Sequence, residues 1–281
     1  MSESPAALLK RLPRYLYRGS LKRALVATGL SAHLKRAYFR LYFALSGGTE
    51  TVEFGDESAT FEVTSYEEYH VVNVAGGAER PVIEALREEL EPGDVFYDVG
   101  ANVGTYTCVV GKAIDGGQVV AFEPYGPNRQ RIRRNAELNR VDVDVLPVAL
   151  SSTAGRVQLH VLDSTAPGTQ ESSIDPAYAD TDRSVSVVDV DAVTGDSLVE
   201  EGRIPPPNVV KIDVEGAGPS VIDGLEATLA YEDCRVLCVE PHGNHETLVE
   251  RIRDLGFRVD HVTLAGERST ESPTILARKP T

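Results

Sequence analysis

The apolar residues of this chain change rhythm along its length, and each rhythm predicts an element. From Leu21 to Leu45, Leu21, Leu25, Leu34, Tyr38, Leu41, Tyr42 and Leu45 recur at roughly helical spacing, and Gly47-Gly48 ends the segment. Residues 50–75 alternate instead, which predicts a small β-meander of strands at 51–54, 60–64 and 70–74. Pro81 to Leu90 reads as a helix with proline in its first turn. From residue 94 short strand-like runs alternate with longer helical ones. They predict strands at 94–98, 118–122, 143–147, 208–212, 235–239, 257–262 and 274–278, with helices at 104–113, 127–139, 219–230 and 245–255. Such alternation means an α/β fold: a doubly wound, mainly parallel seven-stranded sheet covered on both faces. Its last two strands, joined through Gly266, form a terminal antiparallel hairpin. Between 150 and 207 the rhythm breaks into strands at 156–161 and 186–190 around a polar loop, 163–183, which reads as a lid or binding loop. The expected organisation is an appendage at 1–78 and a main domain at 79–281.

One turn carries candidate chemistry. Val95-Phe96-Tyr97 leads into Asp98-Val99-Gly100-Ala101-Asn102-Val103-Gly104, a helix follows, and the next strand ends on Glu123. Glycines let a backbone turn tightly and approach a ligand closely. A carboxylate at the next strand tip can accept two hydrogen bonds from a ribose diol. This is the opening unit of a Rossmann-like fold. A dinucleotide fingerprint needs G-x-G-x-x-G facing a pyrophosphate. Here the spacing is D-x-G-x-x-x-G, and Asp98 would repel a pyrophosphate and attract a cation. S-adenosylmethionine, a sulfonium and an ammonium on one ribose, fits that pattern.

Charge narrows the partners. The net charge of −15 is uneven: residues 1–45 hold nine Lys or Arg and one acid, leaving 19 bases and 42 acids for the rest. Such a body repels nucleic acid phosphates, so no nucleic acid substrate is expected. The basic amphipathic segment within residues 1–45 reads equally as a peripheral contact with an anionic membrane and as a helix packed on its own acidic domain. Only 6 of the 28 basic residues are Lys and Trp is absent, which resembles proteins of salt-loving organisms. Cys108, Cys234 and Cys238 form no C-x-x-C pair and read as packed thiols in a reducing interior. No run of eighteen apolar residues and no secretory signal stands out, so a cytoplasmic location is expected, with any membrane contact at the inner face.

A second constellation is Lys211-Ile212-Asp213-Val214-Glu215-Gly216, after Pro205-Pro206-Pro207. Ligands in open parallel sheets bind beyond the carboxyl ends of strands, so Asp213 and Glu215 should share a mouth with Asp98 and Glu123. Two acids and a lysine there can deprotonate a hydroxyl, hold a metal or orient an acceptor. Lys211, inside an apolar run, needs a carboxylate partner. His242, past the strand ending at Glu240-Pro241, is a further candidate base or substrate contact. The H-x-x-H spacing of His242 and His245 suits no shared metal, and none is expected. Arg129, Arg131, Arg133 and Arg134 read as one solvated helix face, and Asn128 and Asn135 as residues that cap and pack that helix, with adenosine contact the alternative.

These pieces together resemble the FkbM family of S-adenosylmethionine-dependent methyltransferases over about residues 93–262. The carrying segments are FYDVGANVGTYT (96–107), VVAFEP (119–124), Asn135 and Asn139 in RRNAELN, PVALS (147–151), Ser172-Ser173 and VVKIDVEG (209–216). The resemblance implies O-methylation of a hydroxyl on a glycan or another secondary metabolite, lipid-carried where the membrane reading holds. It places the cofactor at Asp98, Gly100, Ala101, Asn102, Gly104, Thr105, Glu123, Pro124 and Ala149. Asp213, Glu215, Lys211 and His242 are the expected catalytic group. One departure is Gly218, where family members usually carry a second acid. Two alternatives remain: a nicotinamide-dependent oxidoreductase, and a binding protein that keeps the fold without turnover.

Overall fold

The computed structural model describes residues 30–162, 167–168, 172–174, 185–242, 245–262 and 274–280. Helix α1 (Leu30–Ser46) gives way at Gly47 and Gly48 to an antiparallel ribbon of β1 (Thr49–Phe54) and β2 (Glu57–Glu62). The expected third strand, at 70–74, is instead part of helix α2 (Tyr66–Ala75). Its start is fixed by a reciprocal capping box. Ser65 Oγ accepts from the Glu68 N–H at 3.1 Å, and the Glu68 carboxylate accepts from the Ser65 N–H at 3.1 Å. Burial of Val72 and Ala75 on one helix face then outweighs the strand preference of the valines. Helix α3 (Arg80–Glu88) carries Pro81 in its first turn, as expected.

The repeated unit then runs β3 (Val95–Val99), α4 (Thr105–Ala113), β4 (Gln118–Phe122), α5 (Gly126–Asn139) and β5 (Val143–Leu146). Residues 148–193 leave it to build a second sheet from β6 (Val148–Leu150), β7 (Gly155–Leu162), β8 (Ser172–Ser173) and β9 (Val185–Val193), ordered β6-β9-β7-β8. The chain returns through α6 (Gly195–Glu200), β10 (Val209–Ile212), α7 (Gly218–Asp223), α8 (Glu226–Ala230), β11 (Val236–Val239), α9 (His245–Asp254), β12 (Arg258–Val262) and β13 (Thr274–Arg278). The helix expected at 219–230 is two short ones, interrupted at Gly224 and Leu225. The main sheet has seven strands in the order β12-β13-β11-β10-β3-β4-β5. Only β13 runs antiparallel to its neighbours, β11 and β12. The strand order reverses beside β3, between β4 and β10, and open α/β sheets bind ligands at such a point.

Both faces of the sheet are buried, and alternation sorts the side chains. Tyr97, Val99, Val210, Ile212, Leu237 and Val239 join one cluster, while Phe96, Val209, Val236 and Cys238 join the other. The second cluster also contains Phe54, Phe61, Val63, Val72 and Ala75, so the described part of the leading segment shares a core with the sheet. Helix α5 pins the ribbon to that core. Asn139 accepts from the Thr60 N–H at 2.8 Å and donates to its carbonyl at 2.7 Å, and Asn135 accepts from Glu62 N–H at 2.9 Å. Asn135 also donates to the Val103 carbonyl at 2.8 Å, a packing role as expected. Arg131 departs from the solvated face assigned to it. It is buried and ion-paired with Glu62 and Glu68, each at 2.6 Å. The three cysteines are free and buried.

Candidate active site

The ends of β3, β4, β10 and β11 open into a cleft holding about 1090 Å3 of empty space, its mouth included. One wall is the glycine turn. Gly100, at φ +80°, lies so close to the exit of β10 that any Cβ would overlap the Asp213 carbonyl oxygen. The glycine therefore joins the two halves of the site. Asn102 holds a left-handed φ of 51°, which Asn tolerates. Its N–H donates to Glu123 Oε2 at 2.9 Å, and the Tyr125 N–H donates to Oε1 at 2.8 Å. Burial pushes the Glu123 carboxyl up to about 7, against the pull of these hydrogen bonds. Gly100, Ala101, Asn102, Thr105, Glu123, Pro124 and Ala149 all line the cleft.

Asp98 and Gly104 are not among the lining residues. Gly104 is the left-handed N-cap of α4. Asp98 sits on the inward face of β3, fully buried, and accepts from Thr107 N–H at 2.8 Å and Thr107 Oγ1 at 2.6 Å. Its other oxygen is 3.7 Å from Lys211 Nζ. The expected attraction for a cation is met from inside the protein, because Lys211 is the cross-strand partner of Asp98.

The opposite wall is the charged group after β10 and β11. Lys211 Nζ lies 3.1 Å from Asp213 Oδ2 and 4.2 Å over the Tyr106 ring. Burial alone would lower the lysine pKa, but Asp213 and Asp98 raise it instead. Burial would raise the Asp213 carboxyl, yet Lys211 and His242 hold it well below the carboxylate range. His242 is bracketed: Nε2 is 3.0 Å from Asp213 Oδ1 and Nδ1 is 3.1 Å from Glu215 Oε2. Burial would lower its pKa, and the carboxylates push it up to about 9. An acid at each ring nitrogen fixes the orientation of His242 in the cleft wall.

Sequence reasoning missed two cleft acids, Glu79 and Glu240. The Asp213 charge and then burial push Glu240 up, and burial with Asp213 pushes Glu79 to about 7. Glu240 had a signal, since it follows β11 as Asp213 follows β10. Glu79, upstream of α3, had none. Asn128, buried, accepts from the Gly168 N–H at 3.1 Å. Ser172 and Ser173 pair with β7 and line the cleft, and Ser173 donates to the Glu215 carbonyl. Ile174 also lines the cleft, and the expected lid at 163–183 otherwise lies outside the described residues except at 167–168 and 172–174.

Comparison with known proteins identifies the family. The Methyltransferase FkbM domain matches residues 98–259. Hexuronic acid methyltransferase AglP of Haloferax volcanii is 34% identical over 212 residues, covering 74% of this chain and 82% of that protein. The 31-O-demethyl-FK506 methyltransferase FkbM of Streptomyces tacrolimicus is 42% identical over 67 residues, 24% of this chain and 26% of that one. Among solved structures, precorrin-6y C5,15-methyltransferase from Geobacter metallireducens superposes with a TM-score of 0.46 at 14% identity, over 72% of this chain and 88% of that chain. The nicotinamide reading drops out, and because residues 98–259 carry both the match and most of the cleft, the chain belongs to the FkbM family of S-adenosylmethionine-dependent methyltransferases.

Proposed function

We propose that the chain methylates the carboxylate oxygen of a hexuronic acid in a glycan, giving a methyl ester. The observation that carries this is the 34% identity to a hexuronic acid methyltransferase across 82% of that protein. The wall supports it chemically. An acceptor hydroxyl needs a base, yet Lys211 and His242 hold Asp213 well below the usual carboxylate range, which leaves it weakly basic. A carboxylate is already ionised and needs none. Transfer is an in-line displacement, so the chain has to hold sulfur, methyl carbon and acceptor oxygen collinear. Such positioning contributes ~7–11 kcal/mol. In this reading Glu123 accepts from the ribose diol, Gly100 to Asn102, Thr105, Pro124 and Ala149 cradle the nucleoside, and Lys211, Asp213, Glu215 and His242 orient the acceptor.

The test is incubation with methyl-labelled S-adenosylmethionine and hexuronate glycosides, followed by mild alkali. Ester label leaves as methanol. Label that survives alkali as an ether, or no transfer to any hexuronate, removes the reading.

A second part of the proposal concerns delivery. α1 packs Tyr38, Phe39, Tyr42 and Phe43 together, with Phe39 and Tyr42 reaching α2, and leaves Leu34, Leu41 and Leu45 exposed at helical spacing. The outward leucines, beside the basic excess of residues 1–45, fit peripheral contact with an anionic membrane at its cytoplasmic face and a lipid-carried acceptor. No described helix is long and apolar enough to cross a membrane. Flotation with anionic liposomes should carry the full chain and not one starting near Gly47. Equal behaviour of the two removes this contact.

A further inference from the structure

We propose that Asp213, Glu240 and His242 bind a divalent cation of the Mn2+ class, which anchors the anionic acceptor. Its purpose rests on the hexuronate reading, whereas its geometry does not. β10 and β11 are parallel neighbours with Ile212 opposite Val239. The residues just past their ends, Asp213 and Glu240, therefore leave the sheet side by side, and the chain turns at Pro241 to bring His242 to the same place. One donor atom from each lies within 4.8 Å of the other two. Ligands ~2.1 Å from an octahedral ion stand ~3.0 Å apart when adjacent and ~4.2 Å when opposite, so small side-chain movements close the set. Two carboxylate oxygens and one imidazole nitrogen suit Mn2+ better than a thiolate-seeking metal.

A second observation concerns the ring itself. His242 presents Nε2 to Asp213 at 3.0 Å while Glu215 holds Nδ1 at 3.1 Å from the other side. A carboxylate behind the far nitrogen of a histidine is the arrangement that orients metal-ligating imidazoles. Asp213 would then turn one oxygen to the ion and keep the other on Lys211, 3.1 Å away.

Charge supplies a third argument. Glu79, Asp213, Glu215 and Glu240 line the cleft, and Lys211 and His242 are the cationic types among the described lining residues. Lys211 is already committed to Asp98 and Asp213. A hexuronate entering that wall adds another negative charge and meets repulsion. A divalent ion reverses the sign and leaves positions open for the acceptor carboxylate and a ring hydroxyl.

The experiment is titration of chelator-treated, full-length protein with MnCl2, following the six-line electron paramagnetic resonance signal of free Mn2+. The expected result is removal of about one Mn2+ per chain, with Glu240→Gln and His242→Ala each weakening uptake about 10-fold or more. Calorimetric binding of S-adenosylhomocysteine by the same samples reports that each cleft is folded. Given that binding, no Mn2+ uptake by the unaltered chain, or uptake unchanged in both variants, overturns the site. Uptake with no labelled hexuronate keeps the site and removes the acceptor reading. Ester formation undiminished in chelator, without uptake, does the reverse.

Discussion

Glu123 is a carboxylate asked to be charged in a place that resists charge, and the contest sets a pH dependence. Its two oxygens already accept the Asn102 and Tyr125 amides, and burial lifts its pKa to about 7. A ribose diol donates hydrogen bonds, so the ionised form binds the nucleoside better. Affinity for S-adenosylhomocysteine should therefore rise with pH and level off above about pH 8, since ionisation around a pKa near 7 grows about 10-fold between pH 6 and pH 8. Calorimetry across that range checks it, and Glu123→Gln should bind weakly with a flat profile. A flat profile in the unaltered chain refutes the role. Lys211 makes a complementary case. Lys211→Met strands Asp98 and part of Asp213 without a counter-charge, and breaking a buried pair from one side costs ~3–5 kcal/mol. Denaturant unfolding should show that loss, and adding Asp98→Asn should recover part of it. Asp98 also shows where residue-level reading stops. Its place in the turn pointed toward ligand, but its strand face points inward, and its partner stands 113 positions away on β10. Nothing in local spacing reveals such a pair. Gly100, Glu123 and Asp213 were legible because strand ends announce themselves as an apolar run followed by a turn.

At the scale of elements, the central strands β3, β4, β10 and β11 were legible because burial on both faces leaves a short, largely apolar run. Alternation was the less reliable guide. Val71, Val72 and Val74 sit in a run that reads as a strand, yet Ser65 and Glu68, three apart, are a helix start signal lying just upstream. That cap supports a measurable claim: Ser65→Ala should cost ~0.5–2 kcal/mol. For a chain of this length the thermal midpoint should fall by roughly 2–4 °C per kcal/mol. An unchanged midpoint would mean that tertiary packing of Val72 and Ala75 alone starts α2. The appended ribbon illustrates a different gap. Its strands were visible, but the clamp from Asn135 and Asn139 joins residues more than 70 positions apart. Only folding brings them together. Gly218, where the family resemblance implies an acid, opens α7 at a point where a Cβ would meet nothing within 4 Å, so a side chain there would find room.

Across the whole molecule the governing quantity is charge. The net −15 hides a steeper contrast, because residues 1–45 contribute nine bases against one acid. The acidic remainder repels itself in the compact state and does so less when spread out by unfolding. Partly buried pairs oppose this locally: Arg131 with Glu62 and Glu68, Arg235 with Asp94, Arg278 with Glu89. Salt weakens the two kinds of interaction unequally. Repulsion acts between exposed carboxylates over long distances and is screened within ~10 Å at 0.1 M and ~3 Å at 1 M, whereas desolvated pairs are screened much less. The sign follows: added KCl should raise the thermal midpoint of the full-length chain, most steeply at the low end of a series from ~0.05 to ~1 M. The comparison that isolates charge is the same series near pH 5, where protonation of exposed carboxylates removes much of the repulsion. There the rise should shrink. A midpoint that falls with salt at neutral pH would mean that the buried pairs, and not the acidic surface, dominate the electrostatic balance of this fold.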